Sequence, residues 1–120
     1  MNAKTTECKT ILIADDEIFM RNFLKNILER AGYKVIEACD GDDAVQKFAA
    51  NAAEIQLLVL DVKMPVKTGR EAYAEMKKIK PGIKAIFISG FHNESSDTDN
   101  FIAKPFPPQA LLDRMKGIYN

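Results

Sequence analysis

Hydrophobic positions in this chain alternate between two patterns: short continuous apolar runs, and longer stretches in which apolar residues recur with a helical period. Thr10 to Ala14 reads TILIA, a β-branched run that stops abruptly at Asp15-Asp16-Glu17. So short a continuous run fits a strand buried on both faces, as in parallel sheets. Phe19, Phe23, Leu24, Ile27, Leu28 and Ala31 then recur at helical spacing, and Gly32 supplies a C-terminal stop. Lys34 to Ala38 (KVIEA) predicts a second strand. Asp40-Gly41-Asp42-Asp43 opens a second helix with Ala44, Val45, Phe48 and Ala49 on one face. Leu57 to Leu60 (LLVL) is the most apolar strand and runs into Asp61. After the loop VKMPVK, Thr68 and Glu71 have the three-residue offset of a capping box. The helix they start has Ala72, Tyr73, Met76 and Ile79 on its apolar face and ends at Pro81-Gly82. Lys84 to Ser89 (KAIFIS) and Asn100 to Lys104 (NFIAK) predict the last two strands, the second stopped by Pro105. Pro107-Pro108 suits the first turn of a final helix, where a missing N–H is harmless. Leu111, Leu112, Met115 and Ile118 would dock that helix.

Five strands alternating with helices predict a doubly wound α/β sandwich around a parallel sheet, as one domain over residues 10–120 after a loose lead-in at 1–9. In such a sheet all strand C-termini emerge on one edge, and ligands bind along it. The residues at those ends are Asp15, Asp16 and Glu17, then Asp61, Ser89 and Lys104. The same placement puts Cys8 before the first strand and Cys39 after the second. Opposite ends of a six-residue strand lie about 20 Å apart, beyond disulfide reach, so both cysteines read as structural thiols packed like small hydrophobes.

Composition narrows the partners. Lys plus Arg and Asp plus Glu are 17 each, giving no net charge, whereas nucleic-acid binding normally shows an excess of basic residues. The expectation is no nucleic-acid partner. No apolar run approaches the roughly 18 residues that span a bilayer, and MNAKTTECKT lacks the apolar segment of a signal peptide. A cytoplasmic location with no membrane association is the resulting expectation.

The acids at the strand ends carry the chemistry. Three carboxylates in one crevice repel one another, and desolvation worsens the conflict. A divalent cation resolves it, and a few carboxylates with room for water suit Mg²⁺. Asp16 and Asp61 are candidate direct ligands, with Asp15 holding metal-bound water and the Lys63 backbone carbonyl adding an oxygen. An ionised Asp61 can also attack phosphorus. Lys104 offers a compact cation for a phosphoryl oxygen, and the Ser89 hydroxyl can donate to another. Singly, each acid could be a helix cap or loop residue; at one edge with Lys104 they describe a phosphoryl-accepting site. There is no Gly-rich phosphate cradle of the nucleotide-binding kind, and His92 lies in a polar stretch that reads as an exposed loop.

These features, ILIADDE, LLVLDVKMP followed by TG, FISG and IAKPF, resemble in order the receiver domain of two-component response regulators. The resemblance covers about residues 9–119. It implies the flavodoxin-like strand order 2-1-3-4-5, Asp61 as phosphoacceptor for a histidine kinase or phosphotransfer protein, Mg²⁺ held by Asp15 and Asp16, and a phosphoryl group bound by Ser89 and Lys104. It further implies Phe101 as a switch aromatic, a cis Lys104–Pro105 peptide and a downstream protein target. Only 11 residues, GFHNESSDTDN, separate Ser89 from Phe101, near the minimum for a parallel crossover. They lack apolar periodicity, so the fourth helix of the family is expected to be reduced or missing. A strand edge exposed there leaves a homodimer open. Two other classes remain: an Mg²⁺-dependent phosphatase with Asp61 as catalytic nucleophile, which typically wants an acid where Lys63 stands, and an interaction module that is never phosphorylated. The receiver reading makes the chain a kinase substrate and not a turnover enzyme.

Overall fold

The computed structural model describes residues 9–90 and 100–119. In chain order they form β1 (Thr10–Ala14), α1 (Ile18–Arg30), β2 (Lys34–Ala38), α2 (Gly41–Asn51), β3 (Ile55–Asp61), α3 (Gly69–Ile79), β4 (Ala85–Ser89), β5 (Asn100–Ala103) and α4 (Pro108–Tyr119). The strands make one sheet in the order β2-β1-β3-β4-β5, and every neighbouring pair is parallel. The predicted doubly wound architecture and strand order are both present.

Strand alternation creates two cores. Ile11, Ile13, Leu57, Val59, Ile86, Ile88 and Ile102 meet Leu24, Ile27 and Leu28 of α1 and Leu111 and Met115 of α4. The intervening positions, Leu12, Ala14, Leu58, Leu60 and Phe87, meet Ala44 and Phe48 of α2 and Ala72 and Met76 of α3. Successive side chains on a strand point to opposite faces, so a run such as ILIA feeds both layers at once. Each large aliphatic or aromatic side chain so buried stabilises the fold by about 1.5–3 kcal/mol relative to exposure.

Two helices announce their starts. Asp40 caps α2 by accepting the Asp43 N–H at 2.7 Å. Thr68 and Glu71 form the expected capping box on α3, with reciprocal bonds of 3.1 and 2.9 Å.

Several expectations need correction. Phe19 is 86% exposed. At about 100° per residue it sits roughly 130° round α1 from the seam through Leu24, Ile27 and Leu28, so its spacing to Phe23 misled. Ala49 is also exposed, and Ile79 is 46% exposed at the end of α3. Strand β3 starts two residues before Leu57 and includes Asp61, while β5 ends at Ala103, before Lys104. Cys39 is free but exposed rather than packed. Cys8 and the rest of the lead-in over 1–8, His92, and the shortened crossover over 91–99 lie outside the described residues. Among the described residues no helix is long and apolar enough to cross a membrane.

Candidate functional site

The carboxyl edge of the sheet gathers the predicted residues. Asp15 directly follows β1; its backbone N–H bonds the Ala38 carbonyl at 3.2 Å, which keeps the chain beside β2 after the strand has ended. Its side chain is fully buried. Oδ1 accepts the Glu17 N–H at 2.8 Å, while the buried Oδ2 has no hydrogen-bond partner. Asp61 closes β3 and is 6% exposed. Lys104 follows β5, and its N–H bonds the Ser89 carbonyl at 2.8 Å, tying the ends of β4 and β5 together. Its ammonium stands 3.5 Å from Asp61 Oδ2, 3.5 Å from Glu17 Oε1 and 3.7 Å from Asp15 Oδ2. Asp16 is exposed, yet Asp15, Asp16 and Asp61 each bring a carboxylate oxygen within 4.8 Å of the others.

Asp16, Glu17, Asp61, Lys63, Ser89, Gly90 and Lys104 line one cleft of about 230 Å³. Larger hollows of about 720 and 360 Å³ lie elsewhere, one against Lys84 and Arg114 and one between α1 and α4. Neither holds a comparable set of reactive groups, so chemistry and not volume marks the site.

The loop from β3 to α3 shapes the cleft's floor. Val62 N–H bonds the Ile88 carbonyl at 2.9 Å, and Gly69 N–H returns to the Val62 carbonyl at 3.0 Å. A Cβ at Gly69 would run into the Asp61 carbonyl, so this glycine lets α3 start hard against the candidate acceptor. The sequence signal for this role is a poor helix former in the first turn of α3. Between them, Val66 adopts φ 71° while Lys67 N–H reaches back to the Pro65 carbonyl at 2.8 Å. A tight turn centred on a β-branched residue with positive φ is strained. Glu17, which shares Lys104 with Asp61, was visible only as part of the acidic run after β1.

Phe101 sits on β5 in register with Phe87 of β4. Its ring centroid lies 5.6 Å from that of Phe87, and the Arg70 guanidinium stands 5.1 Å from the Phe101 ring and 5.3 Å from the Phe87 ring. The Lys104–Pro105 peptide is cis.

The electrostatics are those of an acid-rich hollow. Burial, then the charge of Asp15, pushes the Asp61 carboxyl up to about 6, against the pull of Lys104 and the Lys63 N–H. Burial also raises Asp15, opposed by the Glu17 N–H and Lys104. Burial disfavours the Lys104 ammonium, but Asp61, Asp15 and Glu17 outweigh it and the group titrates above its ordinary range. At pH 7 a group with that value is roughly nine-tenths ionised, so Asp61 is an available nucleophile held at an electrostatic disadvantage. A divalent cation fits here. Hard carboxylate oxygens converge, the acids Asp15, Asp16, Glu17 and Asp61 outnumber Lys63 and Lys104, and the bare Asp15 Oδ2 is the buried unsatisfied acceptor that an ion or its water would satisfy.

Comparison with known proteins agrees with this geometry. The response regulator receiver domain family matches residues 11–116. The chemotaxis protein CheY of Thermotoga maritima is 34% identical over 118 residues, covering 92% of this chain and 97% of that protein. The aerobic respiration control protein ArcA of Escherichia coli is 33% identical over 115 residues, covering 90% of this chain but 47% of ArcA; the chain therefore spans about half of that longer relative. Among solved structures, CheY in the CheX–CheY–BeF3–Mg²⁺ complex from Borrelia burgdorferi superposes with a TM-score of 0.90 at 26% identity, covering 100% and 96% of the two chains. The response regulator TrrA of Thermotoga maritima in complex with Mg²⁺–BeF gives 0.83 at 31% identity, covering 92% and 98%.

Proposed function

The chain belongs to the response regulator receiver family of two-component signalling, and from that membership we propose that Asp61 accepts a phosphoryl group from the phosphohistidine of a histidine kinase or phosphotransfer protein. The observation that carries this reading is the Lys104 ammonium standing 3.5 Å from a buried Asp61 oxygen, on a cleft that Ser89 also lines. An Asp61 carboxylate oxygen attacks phosphorus; the P–O bond of an acyl phosphate forms as the P–N bond to the donor imidazole breaks, and the imidazole nitrogen keeps the bonding pair. Lys104 takes a negative oxygen of the arriving group, and the Ser89 hydroxyl donates to another. Asp15 and Asp16, with Asp61 and the Lys63 carbonyl, would hold Mg²⁺, which supplies charge neutralisation and alignment for the phosphoryl oxygens. Mg²⁺ in the TrrA and CheY complexes supports that assignment. Phe101, packed beside Phe87 of β4 and under Arg70, would transmit the change along β5 to a protein target.

As a receiver the chain is a phosphorylation substrate whose output is protein contact. A phosphatase reading is disfavoured because the residue two past Asp61 that lines the cleft is Lys63 and not an acid. The test is incubation with Mg²⁺ and acetyl phosphate, or with a phosphorylated kinase, followed by intact mass on wild type and Asp61→Asn. A Mg²⁺-dependent, alkali-labile mass gain on wild type alone is expected. Rapid turnover of added phosphoesters, or no gain at all, overturns the proposal.

A further inference from the structure

Lys67 lies in the β3–α3 loop, six residues past Asp61 and outside the acidic cleft. Its ammonium is 3.1 Å from Asp42 Oδ1 and 3.1 Å from Glu75 Oε2. Asp42 belongs to the first turn of α2 and Glu75 to the middle of α3, so one side chain joins the loop to two helices. A second contact comes from the backbone. A Cβ at Gly41 would strike the Lys67 carbonyl, which means that α2 begins directly against the loop and that Gly41 keeps this approach open.

The loop so gripped includes the strained turn at Val66 and, three residues before it, Lys63, whose backbone N–H donates to the Asp61 carboxylate. A strained turn persists only where its surroundings over-determine it. Here the surroundings are Gly69 against Asp61 on one side and Lys67 between two helices on the other. Surface ion pairs contribute little to global stability, but a cation shared by two acids from different elements restrains the backbone that carries it.

We propose that Lys67 is a positioning residue for Asp61: by bridging Asp42 and Glu75 it holds the β3–α3 loop where the Lys63 N–H meets the Asp61 carboxylate. The bridge fixes the floor of the acidic cleft from outside it. The consequence for Mg²⁺ and phosphoryl acceptance rests on the function proposed above; the effect on the loop itself does not.

The test compares wild type with Lys67→Met, with the double variant Asp42→Asn/Glu75→Gln, which keeps Lys67 and removes both partners, and with Lys67→Arg. Amide hydrogen exchange is followed at Lys63 and in the β1 and β3 core, and Mg²⁺ affinity is measured by calorimetry. In the first two variants the Lys63 amide is expected to exchange about two- to tenfold faster, the range that two partly exposed ion pairs supply, while core amides are unchanged. Mg²⁺ affinity should fall by a similar factor, and Lys67→Arg should restore both. Wild-type exchange at Lys63 in both variants overturns the proposal, as does an equal acceleration throughout the core, which marks a merely structural role. If wild type shows no Mg²⁺ binding or phosphoryl acceptance, the functional reading fails, while the exchange result still decides the role of Lys67.

Discussion

Asp61 is the residue on which fold and function make opposed demands. Its carboxyl titrates near 6 because burial and Asp15 disfavour the charge, so ionising it in the folded protein is harder than in the unfolded chain, where the ordinary value of 3.8 applies. An acid shifted upward destabilises the fold above its folded pKa and has no effect below its unfolded pKa. The penalty therefore grows as pH rises from about 4 to 6 and is complete above that. A rise from 3.8 to about 6 corresponds to about 3 kcal/mol, already net of the attraction to Lys104. Asp61→Asn is accordingly expected to be more stable than wild type by about 1–3 kcal/mol at pH 7.5 in metal-free urea denaturation, with the gap closing by pH 4. A variant less stable than wild type at pH 7.5 contradicts the burial account. Val66 sets a second residue-scale expectation: it is 77% exposed at φ 71°, so Val66→Gly relieves strain with little packing loss and should stabilise by about 1 kcal/mol in the same measurement. Of the site, Asp15, Asp16, Asp61, Ser89 and Lys104 were legible from the sequence because each directly ends an apolar run, and strand ends share an edge. Glu17 was placed on that edge without its pairing to Lys104, and Gly69 and Lys67 were not legible, because these roles arise from approaches between segments that no local pattern encodes.

At the scale of elements, the pattern located every strand and helix of the described residues, and its errors cluster at ends and edges. Phe19 lies off the seam of α1 that Leu24, Ile27 and Leu28 bury, and Ile79 is the last residue of α3, where burial ceases although the spacing continues. β3 was drawn too short because Gln56 interrupts the apolar run, yet Ile55 is fully buried and pairs with Thr10. The start of α3, by contrast, was written in residues that announce themselves. Thr68→Ala removes one half of its capping box and should cost about 1 kcal/mol. Gly69→Ala separates propensity from contact: in an open helix position the change stabilises by about 1 kcal/mol, whereas here the added methyl meets the Asp61 carbonyl. Net destabilisation with slower phosphoryl acceptance is expected for Gly69→Ala. A more stable variant that still accepts phosphoryl at the wild-type rate contradicts the close approach.

For the whole molecule, the parallel sheet was readable because runs buried on both faces admit few other architectures, and strand order 2-1-3-4-5 puts β1 and β3 side by side at its centre. That adjacency brings Asp15 and Asp61 together, so the fold creates an electrostatic conflict that a bound cation would relieve. Binding only to the folded state stabilises by RT ln(1 + [L]/Kd), about 2.7 kcal/mol at a hundredfold excess over Kd. Mg²⁺ should therefore raise the melting temperature at pH 7.5 relative to EDTA at matched ionic strength. The rise should shrink at pH 5, where most Asp61 carboxyls hold a proton that competes with the ion. Asp15→Asn tests the coupling: removing one carboxylate lowers the repulsion on Asp61 and also deprives the ion of a donor. The metal-free protein should then gain stability at pH 7.5 while the response to Mg²⁺ falls. If Asp15→Asn instead leaves both the metal-free melting temperature and the Mg²⁺ response unchanged, the three acids do not act on a common cation.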